Sequence, residues 1–220
     1  MYSNHQRTKS NECLICFKPI QQHFFLLSFI ANPQICIDCF KKFNILNEEG
    51  TFDGCKIRFL YEYNDFFKSL LFQYKGQYDI ALSPIFLSIY NIQFLHLYSD
   101  YVIACCPSSD KQNDLRGFAP IIEIAKNTGL PLFTGLKKIG EYKQADQPFN
   151  KRNEIYRYID IEDGKSLYKK NVLLLDDVMT SGYTLKACLN KIREYSPNKI
   201  EILILSHRKQ RKTLSSETSF

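Results

Sequence analysis

The sequence predicts an α/β fold, a parallel-rich sheet flanked by helices, preceded by a small amino-terminal metal-binding module. Three observations carry that prediction. Two Cys-x-x-Cys pairs stand near the amino terminus. Behind them, short apolar runs alternate with segments of helical period, the pattern of strands joined by crossover helices. One apolar run, Val172-Leu173-Leu174-Leu175, stops at Asp176-Asp177 and a hydroxyl-rich turn.

The 220 residues leave room for one ordinary domain and a small appendage. The division expected is a cysteine module at residues 1–50, an α/β domain at 51–206 and a basic, flexible tail at 207–220. Hydrophobic residues make up 45% and charged residues 24%, the balance of a soluble globular protein. Seventeen Phe and fourteen Tyr without Trp imply a core rich in aromatic rings. The net charge of +6 permits an anionic partner without demanding one. No apolar run is long enough for membrane insertion, and residues 1–11 lack a signal-peptide core. The reading is a cytoplasmic chain, whose eight cysteines are metal ligands or free thiols rather than disulfides.

Cys13 and Cys16 form one Cys-x-x-Cys pair, Cys36 and Cys39 the other, with residues 17–35 between them. That spacing suits a zinc ribbon or knuckle, in which two tight turns aim four thiolates at one ion. Four cysteines close the shell, so the expected Zn²⁺ is structural, and nearby His23 is an ordinary polar residue. The run 24–30 is too short for a membrane segment and packs the module.

Residues 56–63 alternate like a strand, and 65–73 have helical spacing with Phe66, Phe67, Leu70 and Leu71 on the buried face. Lys75-Gly76 ends that helix. Residues 80–97 read as a helix broken or started near Pro84. A strand at 101–105, a helix at 117–127 and a short strand near 131–133 follow. Residues 134–152 are polar and charged and read as a mobile loop or hood. A strand within 155–161 precedes the turn Glu162-Asp163-Gly164. The run at 172–175 starts the next strand, its helix ends near Pro197, and 200–205 form a final buried strand.

The chemistry gathers after Leu175. An apolar run without alternation is a strand covered on both faces, and its carboxyl end is where open α/β sheets place ligands. Asp176 and Asp177 stand there. Adjacent like charges gain nothing for folding alone, but they suit hydroxyls or a metal ion arriving between them. Thr180, Ser181 and Thr184 supply hydroxyls, and Gly182 lets the backbone approach closely. A helix starting near Gly182 aims N–H groups and its positive dipole end at an anion. A second loop, Pro107-Ser108-Ser109 with Arg116 beyond it, offers hydroxyls and a guanidinium suited to pyrophosphate, or else a plain connection. Cys105 and Cys106 read as buried thiols.

The stretch Asp176-Asp177-Val178-Met179-Thr180-Ser181-Gly182-Tyr183-Thr184 resembles the phosphoribosyl-pyrophosphate (PRPP) signature of type I phosphoribosyltransferases. That resemblance implies that the aspartates bind the ribose hydroxyls, directly or through Mg²⁺, and that residues 180–184 hold the 5′-phosphate. With the two Cys-x-x-Cys pairs, Gln73-Tyr74-Lys75-Gly76, Arg116-Gly117-Phe118, Gln144 and Arg152 in this order, the chain is similar to the ComF family of competence proteins. The family implies an amino-terminal zinc finger on a type I phosphoribosyltransferase-like domain. It also implies Ser108, Ser109 and Arg116 in a pyrophosphate loop, and Gln144 and Arg152 in a hood. Here Ala104-Cys105-Cys106-Pro107 stands where the family usually reads Pro-Val-Pro, and Ala119-Pro120 follows Phe118 in place of Asn-Gln.

The resemblance also implies a role in DNA uptake during natural transformation, with single-stranded DNA and a DNA-translocating helicase as partners. Lys137, Lys138, Lys143, Lys151, Arg152 and Arg157, interleaved with Tyr142, Phe149, Tyr156 and Tyr158, suit a single-stranded backbone with stacked bases, or a loop closing over PRPP. The alternative function is an active Mg²⁺-dependent phosphoribosyltransferase of nucleotide salvage or biosynthesis, with Asp176, Asp177 and Arg116 at its centre. No motif specifies a purine, pyrimidine or amine acceptor.

Overall fold

A computed structural model describes residues 12–20, 34–88, 90, 96–139 and 159–207. Six strands form the main sheet: β1 (Ile45–Phe52), β2 (Cys55–Glu62), β3 (Tyr101–Cys105), β4 (Leu132–Phe133), β7 (Asn171–Met179) and β8 (Lys199–His207). Their order is β1-β2-β8-β7-β3-β4, and every neighbouring pair is parallel except β1 with β2. A second sheet pairs β5 (Leu136–Lys138) antiparallel with β6 (Ile159–Ile161). The fold is therefore α/β with a parallel-rich sheet, as the alternation of strands and helices predicts.

Strand β7 runs through the centre and feeds two cores. Successive side chains of a strand point to opposite faces. Leu173 and Leu175 enter a core with Phe67, Leu70 and Tyr74, whereas Val172 and Leu174 enter one with Leu185, Leu189 and Ile192. Both faces are covered, which is why the strand is apolar without alternation.

A short helix α1 (Ile37–Phe40) carries Cys39, and α2 (Asp65–Gly76) lies on the first face. The Asn64 side chain caps it by accepting the Phe67 N–H at 2.8 Å, and Phe67, Leu70, Leu71 and Tyr74 form its buried face. Phe66, expected on that face, is half-buried at its margin. The aromatic core keeps its hydroxyls satisfied. Tyr61 donates to Phe86 O, Tyr74 to Pro120 O and Tyr90 to Leu60 O, at 2.9, 2.7 and 3.2 Å. Cys13 and Cys39 are buried in the same core, where Phe43 packs on Tyr61 at 5.1 Å between ring centroids. The second face carries α6 (Tyr183–Arg193) and the β5–β6 pair.

Several local expectations change. A helix the sequence pattern does not announce, α4 (Asp110–Arg116), precedes the one expected over 117–127, which is α5 (Pro120–Lys126). Gly117 ends the first in the left-handed region at φ 76°, and Pro120 starts the second, so the chain turns between them. Strand β1 was not expected. Asp53 and Gly54, at φ 48° and 78°, make a two-residue hairpin turn into β2. Position 50, where the sequence pattern changes, falls inside β1. Between 80 and 97 the described residues show a 3₁₀ turn at Ile80–Leu82 and a short helix α3 (Ile85–Ser88) after Pro84. His207, expected to open the tail, closes β8 beside Met179. Among the described residues, no helix is long and apolar enough to cross a membrane.

Candidate ribose-phosphate site

Strand β3 is followed by edge strand β4, and the chain then returns to the other side of β3 as β7. Such a reversal leaves a crevice at the carboxyl ends of the two strands, the usual ligand position in open α/β sheets. Strand β3 stops at Cys105 opposite Leu175, while β7 runs on beside β8 to Met179. The aspartates emerge where β3 has ended. A cavity of about 180 Å³ opens there, lined by Lys75, Cys106, Pro107, Ser108, Asp176, Asp177 and residues 178–184.

The structure thus gathers the whole stretch from Asp176 to Thr184 around one cavity, together with Ser108. Ser109 has another task. Its hydroxyl oxygen accepts the Gln112 N–H at 3.4 Å and caps α4. Arg116 is the last residue of α4, and its Nε donates to the Lys75 carbonyl at 3.0 Å. It is not among the residues lining the cavity. Gln144 and Arg152 lie outside the described residues, as do Lys143, Lys151, Arg157 and the four aromatic residues of the expected basic stretch.

Strand alternation sets the geometry of the acidic pair. Asp177 follows the parity of Leu173 and Leu175 and so falls on the α2 face; Asp176 takes the α6 face. The Asp177 carboxylate is ion-paired with the Lys75 ammonium. The Asp176 Oδ1 accepts the Asp177 backbone N–H at 2.9 Å. Burial pushes the Asp176 carboxyl up to about 6, against the Lys75 charge and a hydrogen bond from Cys106. Burial also brings the Lys75 ammonium down to about 8, opposed by Asp176 and assisted by Arg116. Cys106 is held as a thiol by its hydrogen bond with Cys188 and by burial.

Lys75 is the site residue that sequence reasoning missed. Its motif marks a helix end, and nothing local says that the side chain crosses to β7. A usable signal was the acidic pair itself, since two partly buried carboxylates require a cation.

Gly182 turns the chain into α6 at φ 73°. A Cβ there would stand 2.9 Å from the Phe52 ring and 3.2 Å from Met179 Cε. The left-handed conformation and the close approach each require glycine. Gly182 brings no capping side chain to α6, and the first turn of that helix lines the cavity with the positive end of its dipole. The hydroxyls of Thr180, Ser181 and Thr184 stand beside it. Carboxylates below and an anion cradle above suit a ligand with vicinal hydroxyls and a phosphate.

The four expected metal ligands come together. The thiols of Cys13, Cys16, Cys36 and Cys39 lie within 4.8 Å of one another, Cys16 and Cys36 at 3.6 Å. Burial opposes ionisation of Cys13, yet backbone N–H groups from Cys36, Cys16 and Ile15 bring its thiol down to about 7. Four soft donors around one point can hold a metal such as zinc.

Residues 115–219 match the family model described as the phosphoribosyl transferase domain. Competence protein ComFC of Bacillus subtilis is 28% identical over 130 residues, which are 58% of this chain and 54% of that protein. The chain thus matches about half the length of this curated relative. Similar solved structures include a hypoxanthine-guanine phosphoribosyltransferase from Bacillus anthracis, 11% identical with a TM-score of 0.39, covering 62% of this chain and 75% of that one. Another is a purine phosphoribosyltransferase from Pyrococcus horikoshii, 17% identical with a TM-score of 0.37, covering 57% and 73%.

Proposed function

We infer that the chain is a ComF-type, phosphoribosyltransferase-like protein that binds PRPP or a related ribose phosphate at the carboxyl ends of β3 and β7. The observation that carries this reading is the acidic pair and the uncapped, glycine-opened start of α6 on one cavity. Asp176 and Asp177 receive the ribose hydroxyls. The hydroxyls and N–H groups of residues 180–184 hold the 5′-phosphate. The same carboxylates fit Mg²⁺, since they are hard oxygen donors that already attract the Lys75 cation. When bound with PRPP, Mg²⁺ would neutralise charge on the pyrophosphate. The four thiols would hold one structural Zn²⁺.

The proposed division is a zinc module ahead of β1, a phosphoribosyltransferase-like domain from Ile45 to His207, and a tail beyond it. The likeness to a protein named for competence, with the zinc module, supports action in DNA uptake during natural transformation. Single-stranded DNA and a DNA-translocating helicase are the proposed partners, and the cytoplasm the proposed compartment.

A second reading, an active transferase of nucleotide salvage or biosynthesis, is favoured by one feature. A cavity of about 60 Å³ adjoins the first through Cys106, Pro107 and Ser108, and is lined by Asp110, Asn113, Thr134, Lys137 and Lys138. It offers room beside the sugar. In that reading the residues orient the ring while pyrophosphate leaves C1.

PRPP with Mg²⁺ is expected to raise the melting temperature, and Asp176→Ala with Asp177→Ala to abolish the rise. A native protein without a shift overturns the ligand reading. Steady pyrophosphate release with one particular base or amine would favour the transferase.

A further inference from the structure

Lys75 lies on α2, ahead of the segment that matches the phosphoribosyl transferase domain. Its ammonium nevertheless reaches the cavity and pairs with Asp177. The backbone that carries it is anchored on both sides. Arg116 Nε binds the Lys75 carbonyl at 3.0 Å, and the neighbouring Tyr74 hydroxyl binds Pro120 O at 2.7 Å. Only the flexible aliphatic stem is left to move.

A cation on two carboxylates offsets their repulsion. A ligand whose hydroxyls take those carboxylates must displace it. A displaced, partly buried ammonium is costly unless a new anion receives it. Vicinal hydroxyls alone therefore bind at the expense of the Lys75 pair, whereas hydroxyls with an adjacent anionic group re-pair it. A divalent cation without ligand competes with Lys75 for the same oxygens.

We propose that Lys75 is a specificity-determining residue: its ammonium is the internal counter-cation of Asp176 and Asp177, and it transfers to the pyrophosphate of a bound sugar. The site thereby favours PRPP over ribose 5-phosphate. This inference rests on the ribose-phosphate reading above. Arg116 acts through Lys75, as a positioning residue that holds its carbonyl.

The test uses the full-length zinc-loaded chain, with Mn²⁺ binding read by electron paramagnetic resonance and sugar-phosphate binding by calorimetry. Native protein is expected to bind PRPP at least tenfold more tightly than ribose 5-phosphate. Lys75→Met should lose most of that ratio and bind Mn²⁺ alone severalfold more tightly. Lys75→Arg should restore native behaviour, and Arg116→Gln should shift both readouts the same way by less. A merely structural lysine would weaken every ligand together, so the opposite signs are diagnostic. Lys75→Gln carries the same comparison where the Met variant does not fold. Unchanged Mn²⁺ affinity and an unchanged PRPP preference overturn the inference while leaving the ribose-phosphate reading intact. Failure of native protein to bind either sugar phosphate overturns both.

Discussion

The ring of Phe52, at the end of β1, stands 2.9 Å from where a Cβ on Gly182 would lie. An edge strand is thus pressed against the turn that opens α6. Gly182→Ala combines this overlap with a left-handed φ and is expected to destabilise the chain by about 1–3 kcal/mol. The PRPP-induced rise in melting temperature should vanish with it. Adding Phe52→Ala should return part of the stability and none of the ligand response, because the φ requirement remains. Full recovery of both would assign the glycine to packing alone.

The Asp53 carboxylate, in the β1–β2 turn, pairs with Arg193 and Lys186 of α6. The Arg193 hydrogen bond is the main influence holding its carboxyl below the ordinary value of 3.8. A depressed acid stabilises the fold above its unfolded pKa and loses that contribution as pH falls through the folded one. Asn tolerates the same turn conformation, so Asp53→Asn isolates the charge. It should lower the melting temperature at pH 7 by the equivalent of less than about 1 kcal/mol. The difference from native should shrink below about pH 4. A pH-independent penalty would point to the turn rather than the ion pairs.

Metal analysis should find about one zinc per chain. Cys13 and Cys39 share the core that holds Phe43, Tyr61 and Phe67. Chelation, or Cys39→Ser, is therefore expected to lower the main melting transition rather than release a separate module. A metal-free protein with an unchanged transition would contradict the zinc assignment.

Binding of a labelled single-stranded oligonucleotide, followed by anisotropy, should weaken steeply with salt if phosphates dominate the contact. Replacing Lys137 and Lys138 of β5 with Gln should reduce the salt slope by about 1.4. An absent or salt-independent signal removes the DNA partner.

Local signals were legible. The apolar run into Asp176-Asp177 needed only its own residues to announce a doubly covered strand with two carboxylates at its carboxyl end. Residues 65–73 showed their buried face, and the four cysteines their common centre, through spacing alone. Other features stayed hidden because their cause lies far away in the chain. Strand β1 has exposed and half-buried residues without clean alternation, so periodicity is weak, although Asp53-Gly54 carried a hairpin signal. Helix α4 buries none of its residues and so shows no apolar face, although Gly117 and Pro120 mark its end and the start of α5.

The sequence by itself determined the parts: a strand covered on both faces, two carboxylates at its end, a glycine that opens a helix, and four thiols at knuckle spacing. These follow from steric and hydrophobic rules that act over a few residues. Only the tertiary structure decided how the parts meet. Strand alternation turns Asp177 toward α2, sheet order brings α2 over β7, and Arg116 holds the Lys75 carbonyl in place. Contacts between such distant residues depend on packing that no local pattern encodes, which is why the lysine on the acidic pair became visible only in three dimensions.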